Sequence, residues 1–267
     1  VITKKGKGYP PCEEDTIGMW HGIGPFNKET GKPLVAKDDK VTWSEVISNH
    51  LIELTKRNNN LMVITPAMTG GSKLLKYKEL YPIDAGIAEE HALILANGMS
   101  IGGLIPFVSI YSTFLQRGYD EVLHDIARMN THVILGIDRC GIVGEDGETH
   151  QGIYDLTFLM PIPNLIISTP KDSIEAGNIL YTAILSKKPF AIRYSKDRLK
   201  YQKKNYQIIP IGSWEYLEKG QDAVLITYGN LLNNAKIIKK NLANTLDLAI
   251  VNARYQKPID TNLYDEI

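Results

Sequence analysis

Ile137-Asp-Arg-Cys-Gly-Ile-Val-Gly-Glu-Asp-Gly-Glu-Thr-His-Gln-Gly152 is the stretch that decides how this chain is read. The run before it, His132 to Ile137, reads as a buried strand that empties into a glycine-punctuated loop carrying Arg139, Asp146 and His150. In an open α/β sheet, ligands bind where loops leave the carboxyl ends of strands. A cation, a carboxylate and an imidazole in such a loop mark a reaction site.

Outward from that strand the pattern repeats. Thr42 and Glu45 form a capping box before a helix whose apolar face is Ile47, Leu51 and Leu54. Strands are expected at Leu61–Thr65, Ile83–Ala85, Leu104–Ile110, Leu165–Ser168 and Phe190–Tyr194. Helices are expected at Gly71–Leu80, Ala88–Ile101, Thr113–Arg128 and Ser173–Leu185. Apolar strands alternating with helices require a parallel sheet covered on both faces. The polar, lysine-rich stretch Ser195–Pro210 marks a boundary, beyond which Ala223–Thr227, Leu232–Leu242 and Leu248–Val251 read as strand, helix, strand. Gly6 to Lys40 has no sustained period and reads as an irregular connector.

Composition narrows the class. Hydrophobic residues are 43% and charged residues 22%, as in globular proteins with a packed core. The 30 basic side chains equal the 30 acidic ones, so no global field favours nucleic acid or an anionic membrane. Two cysteines, Cys12 and Cys140, give neither a disulfide framework nor a zinc site. No apolar stretch reaches the roughly 18 residues of a membrane span. The abrupt start, and Asp260 capping a helix that stops after one turn, read as a piece of a longer polypeptide.

If the strand assignments hold, the unusual residues all follow carboxyl ends. Gly70, Gly71 and Ser72 follow the first strand, Gly86 and Glu89 the second, and Tyr111, Phe114 and Arg117 the third. Arg139 to His150 follow the fourth, and Lys196 and Arg198 the last. Taken singly, each has a structural explanation: Glu89 as a first-turn acid, Tyr111 and Phe114 as core, Arg117 and Lys196 as solvated cations. His150 lacks a packing reason to sit in a glycine-rich loop. His50, His91, His124 and His132 fall within helix or strand patterns and read as structural.

Tyr111-Ser-Thr-Phe-Leu-Gln-Arg117, Gly86-Ile-Ala-Glu-Glu-His91, Asp138 through His150, Thr65-Pro-Ala-Met68 and Val251-Asn-Ala-Arg254 with Lys257-Pro258 together resemble the 1-deoxy-D-xylulose-5-phosphate synthases. These are thiamine-diphosphate enzymes of the transketolase superfamily. The resemblance runs the length of the chain and implies a fold: the end of a diphosphate-binding domain (1–40), a parallel-sheet pyrimidine-binding domain (41–200), and the start of a smaller α/β C-terminal domain (201–267). It implies decarboxylation of pyruvate and condensation with D-glyceraldehyde 3-phosphate, a step toward isoprenoids (terpenoids), thiamine and pyridoxal. It implies Glu89 as the glutamate on the aminopyrimidine, with Tyr9, Met68, Ile87 and Phe114 as cofactor contacts. Asp146, His150 and His21 fall to proton handling and intermediate stabilisation, and Tyr111, Arg117, Arg139 and Lys196 to the acceptor and its phosphate. Magnesium ligands belong to a Gly-Asp-Gly motif that this chain lacks, so no metal ligand is assigned here; the motif is expected in an N-terminal portion of the same enzyme. A homodimer is also implied.

Two positions depart from the family pattern. Where it reads Arg-Tyr-Pro-Arg-Gly, this chain has Arg193-Tyr-Ser-Lys-Asp197, so Lys196 keeps a charge but loses the bidentate fork. Thr69 stands where arginine is common. Two other readings meet parts of this pattern. The β subunit of a 2-oxo acid dehydrogenase shares the glutamate but needs no phosphate cations. A non-catalytic nucleotide-binding module gives no reason for Glu89, His150 and the cations to share an edge. Abundant lysine, asparagine and isoleucine leave a bacterial cytoplasm and the plastid of an AT-rich parasite both open.

Overall fold

Side chains alternate across a strand, so a strand that is apolar on every residue needs cover on both faces. The strands β2 (Leu61–Thr65), β4 (Ile105–Tyr111), β5 (Ile134–Asp138) and β7 (Phe190–Arg193) approach this kind, each interrupted by a single polar residue, Thr65, Ser109, Asp138 and Arg193. In the computed structural model, which describes residues 1–15, 20, 23–34, 38–76 and 81–267, they form the middle of a seven-stranded sheet.

The chain divides into two compact units, residues 1–40 and 41–267. In the first, a one-turn helix α1 (Pro10–Glu13) follows Tyr9, whose ring clusters with those of Trp20 and Phe26 at centroid distances of 4.9 to 5.8 Å. The second unit carries nearly all the regular structure.

After β1 (Lys40–Thr42), helix α2 (Trp43–Thr55) begins where the capping box predicts, with Thr42 Oγ1 accepting from the Glu45 amide at 3.3 Å. Then come β2, β3 (Ile83–Asp84), α3 (Glu89–Ile101), β4, α4 (Ser112–Leu115), β5, α5 (Asp155–Leu159), β6 (Ile166–Ser168), α6 (Ser173–Ser186), β7 and β8 (Arg198–Lys200). The C-terminal segment adds β9 (Glu215–Glu218), β10 (Ala223–Thr227), α7 (Leu231–Leu242), β11 (Leu248–Asn252), β12 (Tyr255–Lys257) and α8 (Thr261–Glu266). The large sheet runs β12-β6-β7-β5-β4-β2-β3, parallel throughout except for antiparallel β12. A second sheet has the order β10-β11-β9.

Each face of the large sheet has its own core. Leu61, Val63, Phe107, Ile134, Phe190 and Ile192 pack with α2 and α6, while Ile64, Val108, Ile110, Leu135, Ile137 and Ala191 pack with α3. Neighbouring residues of one strand thus serve opposite cores. Each such burial contributes about 1.5–3 kcal/mol. Gly136 faces the Phe107 ring; a Cβ there would come within 2.1 Å of Phe107 Cζ.

Two expected helices form differently. Lys73 takes a left-handed φ of 58°, so Gly71–Lys73 turns and only Leu74–Lys76 winds, as a 3₁₀ turn; residues 77–80 of the expected helix lie outside the described residues. The expected helix over Thr113–Arg128 is wound unevenly: α4, a 3₁₀ turn over Gln116–Gly118, and a π-helix over Glu121–Ala127. The wide turns close with Arg128 N–H donating to Leu123 O and Thr131 N–H to Ile126 O, at 3.0 and 3.1 Å. The tight turn brings Gly118 against Leu93, and the wide one keeps Val122, Ile126 and Ala127 in the core. Among the described residues, no helix is long and apolar enough to cross a membrane.

The fully buried His50 fastens α2 to the start of α6. The Ser173 carbonyl can only accept, so His50 Nε2 donates to it at 2.7 Å and Nδ1 accepts from the Tyr206 hydroxyl at 3.1 Å. Burial, opposed by that carbonyl, lowers the His50 pKa to about 4. The unfolded chain therefore binds the proton more readily than the folded one between about pH 6.5 and 4. Thermal stability should be undiminished above pH 6.5 and fall as pH drops toward 4, by at most roughly 3 kcal/mol from this group. Melting curves of His50→Gln should show a shallower loss over the same window; an unchanged slope would assign the loss to other groups.

Candidate active site

A parallel sheet sends every carboxyl end to the same edge, and Glu89, Tyr111, Phe114, Arg117, Arg139, Asp146, His150 and Lys196 form one connected group there. Asp138 ends β5 fully buried. Its Oδ2 accepts from Ser44 Oγ and from Arg139 Nη1, each at 2.7 Å, and its Oδ1 accepts from the Arg139 amide at 2.7 Å. Burial raises the Asp138 pKa against the pull of Arg139 and Ser44. Arg139 sits at a left-handed φ of 60°, which turns its side chain back over the strand end. Burial works against its charge, but Asp138, Tyr111 and Asp146 more than offset this and raise its pKa. Its guanidinium lies 4.1 Å over the Tyr111 ring. Its Nε is buried without a hydrogen-bond partner among the described residues, 3.7 Å from Asp146 Oδ2.

Tyr111, at the end of β4, is held by this cation on one side and by Phe114 on the other, stacked at 5.5 Å. Gly71 abuts its hydroxyl, where a Cβ would stand 1.9 Å away. Burial raises the Tyr111 pKa to about 12, so the phenol stays protonated near neutral pH. His150 completes the aromatic group, with its ring edge-on to Phe114 at 5.2 Å and to Tyr111 at 6.2 Å. Asp146 lies in the same loop and accepts from Lys196 Nζ at 2.5 Å.

Glu89 is the first residue of α3 and only 2% exposed. The helix N-terminus favours a carboxylate there. Arg117 Nη1 donates to Glu89 Oε1 at 2.5 Å, and the Arg117 guanidinium is 5.5 Å from the Phe114 ring. The residue named from sequence as a phosphate ligand is thus found paired with the buried carboxylate. Asp84, at the end of β3, shapes the two cofactor-type loops by accepting from the amides of Ala67 (2.8 Å) and Gly86 (2.9 Å). Met68 in one loop is half-buried, and Ile87 in the other is 82% exposed. Tyr9 belongs to the first unit, where its hydroxyl donates to Lys28 O at 3.0 Å. His21 lies outside the described residues.

Sequence reasoning passed over Asp138, Ser44, Asp155 and Arg193, all of which are buried. The signal for Asp138 was present: a charged residue ending an otherwise apolar strand. Nothing local announces Ser44, which is 94 residues away from its partner.

Residues 39–202 match the transketolase pyrimidine-binding domain family. The chain belongs to this family. A curated 1-deoxy-D-xylulose-5-phosphate synthase of Bacillus cereus (strain AH820) is 45% identical over 97% of the chain, and one of Listeria monocytogenes serotype 4b (strain CLIP80459) is 45% identical over all of it. The chain spans 42% and 45% of the length of these relatives. Among solved structures, a split-gene transketolase described as an inactive β4 tetramer superposes with a TM-score of 0.75 at 25% identity, over 85% of this chain and 75% of that one. Transketolase from Leishmania mexicana shares the fold, with a TM-score of 0.71 at 22% identity over 88% of this chain and 36% of that one. In this member of the pyrimidine-binding family the exposed Ile87, the buried Glu89 carboxylate and the Phe114 face offer an apolar edge, an acceptor and a stacking surface. A planar heterocycle with a ring nitrogen to be hydrogen-bonded fits that set.

Asp138→Ala should strand the Arg139 guanidinium in the interior and cost about 3–5 kcal/mol. The check is the urea midpoint. The double variant Asp138→Ala/Arg139→Met should regain most of the loss; equal destabilisation of both would show that the ion pair is not what holds this corner.

Proposed function

We propose that the protein carrying this chain is a 1-deoxy-D-xylulose-5-phosphate synthase, joining pyruvate to D-glyceraldehyde 3-phosphate with thiamine diphosphate as cofactor. One observation carries the reading. A buried carboxylate beside an aromatic face shares a sheet edge with a cluster of cations, in a chain 45% identical to proteins named for this reaction. Magnesium as the partner of the diphosphate, and a homodimer, are included from the resemblance alone.

When bound, thiamine diphosphate supplies a carbon nucleophile and stores the electron pair released by decarboxylation. The chain's own residues do the rest. Glu89 holds a ring nitrogen of the aminopyrimidine, for which Arg117 must yield or share the carboxylate, and Phe114 offers a face for stacking. Ile87 and Met68 are its apolar contacts from the neighbouring loops; Tyr9 as a cofactor contact and His21 in proton handling are included from the resemblance alone. His150, edge-on to Phe114, is placed to hand over or accept a proton, with Asp146 in the same loop. Arg139, whose Nε makes no hydrogen bond among the described residues, supplies a donor to an anionic substrate, with Lys196 and Tyr111 nearby in the same cluster.

Turnover of pyruvate with glyceraldehyde phosphate by the full-length protein tests the reading; reductive transfer to a lipoyl domain instead would replace it. Glu89→Ala should slow exchange of the cofactor C2 proton by orders of magnitude, and exchange at the wild-type rate would remove Glu89 from its role.

Lys196 reaches the acceptor as a point charge that is shared with Asp146. Lys196→Ala should therefore raise the KM for glyceraldehyde phosphate with pyruvate decarboxylation nearly intact, and Lys196→Arg should lower it. An acceptor KM indifferent to both changes would give the phosphate to Arg139.

A further inference from the structure

The loop that presents Asp146 and His150 is closed at its neck. Gly141 N–H donates to Gly152 O at 2.7 Å and Gly152 N–H to Gly141 O at 2.8 Å. There is no spare room at that point, because a Cβ on Gly152 would lie 2.0 Å from Arg139 O. What fixes the neck lies on either side of it. The Cys140 Sγ lies 3.0 Å from Asp155 Oδ2 and 3.1 Å from Ile137 O, so its single proton serves one or other of these acceptors, and Asp155 is 1% exposed. Burial pushes the Cys140 thiol well up, so it keeps the proton it donates.

Asp155 is held in turn by Arg193, the last residue of β7, through both oxygens: Nε to Oδ2 at 2.7 Å and Nη2 to Oδ1 at 2.9 Å. The remaining side of that guanidinium faces the C-terminal segment. Nη1 donates to Thr169 Oγ1 at 3.1 Å, the Thr169 hydroxyl donates to Gln256 Oε1 at 2.8 Å, and the Tyr228 ring lies 5.9 Å from the guanidinium carbon. Gln256 belongs to β12, the antiparallel strand that the C-terminal segment adds to the sheet. Every member from Cys140 to Gln256 is buried. In a low-dielectric interior each group in such a chain constrains the next.

We propose that Arg193 is a positioning residue that ties Gln256 and Thr169 to the neck of the His150 loop through Asp155, so that the C-terminal segment sets how firmly His150 and Asp146 are held. Only the kinetic arm of the test rests on the function proposed above. A loop displaced by even a fraction of an ångström loses the alignment on which rate depends, while ground-state binding is largely kept.

Thr169→Val and Gln256→Leu cut the far end of the chain without touching the loop, and both are made in the full-length protein. Hydrogen exchange at the Gly141 and Gly152 amides should quicken by roughly ten-fold in each, the signature of a local opening. For pyruvate turnover, kcat should fall roughly five- to ten-fold with KM changed less than about two-fold. Combining Gln256→Leu with His150→Ala should add little to His150→Ala alone, because the first acts through the second. Arg193→Lys, which keeps the charge but loses the fork, should reproduce the exchange effect. Unchanged exchange at the loop neck in both far-end variants would overturn the proposal, and so would kcat losses that multiply in the double variant. A wild-type protein without turnover would count against the synthase reading alone, and the exchange result would still decide the positioning role.

Discussion

The site turns on one buried carboxylate. Asp138 has no access to solvent and is accommodated by three donors, the Arg139 amide, the Arg139 guanidinium and the Ser44 hydroxyl. A buried charge without such partners costs several kcal/mol, so the three groups are bound to the end of β5 as firmly as the strand itself. Arg139 accepts a left-handed backbone, worth about 1–2 kcal/mol of strain, to meet this demand. Its guanidinium then comes to rest on Tyr111, and Tyr111 on Phe114. The Arg139 cation and the aromatic wall of Tyr111 and Phe114 are therefore one construction.

The construction also explains which donors are left over. Asp138 absorbs Arg139 Nη1 and Asp146 absorbs Lys196, but Arg139 Nε remains without a hydrogen bond among the described residues, 3.7 Å from Asp146 Oδ2. An orphaned buried donor is tolerated where a ligand is to use it. Glu89 shows the complementary case, a buried acceptor with Arg117 drawn onto it.

The C-terminal segment is more than an appended unit. Its strand β12 extends the large sheet next to β6, and Lys171 and Glu175 beside α6 meet Glu215, Asn252 and Arg254 in a shared charged cluster, with Lys171 Nζ 2.6 Å from Glu215 Oε2. Glu175 and Asn252 are buried, so the cluster holds the segment in one orientation. Sequence periodicity marked β10, α7 and β11 but not β12, since three residues make no period.

The sequence by itself determined the alternation of apolar strands and helices, the caps at Thr42 and Asp260, and hence a parallel sheet whose candidate site residues share one edge. These are short-range properties: periodicity and capping are written within a few residues. It also marked Glu89, Tyr111, Phe114, Arg139, Asp146, His150 and Lys196, because charge, aromaticity and glycine after a strand end stand out against an apolar background. Only the tertiary structure decided the pairings: Arg117 with Glu89, Lys196 with Asp146, Asp138 with Ser44, and Arg193 with Asp155. It alone decided the uneven winding after β4 as well, where core contacts of Gly118 and Val122 override a sequence that reads as one helix. The physical reason is the same in both. A partner tens of residues away leaves no local trace, and burial, which sets what each charge must find, exists only once the layers have packed.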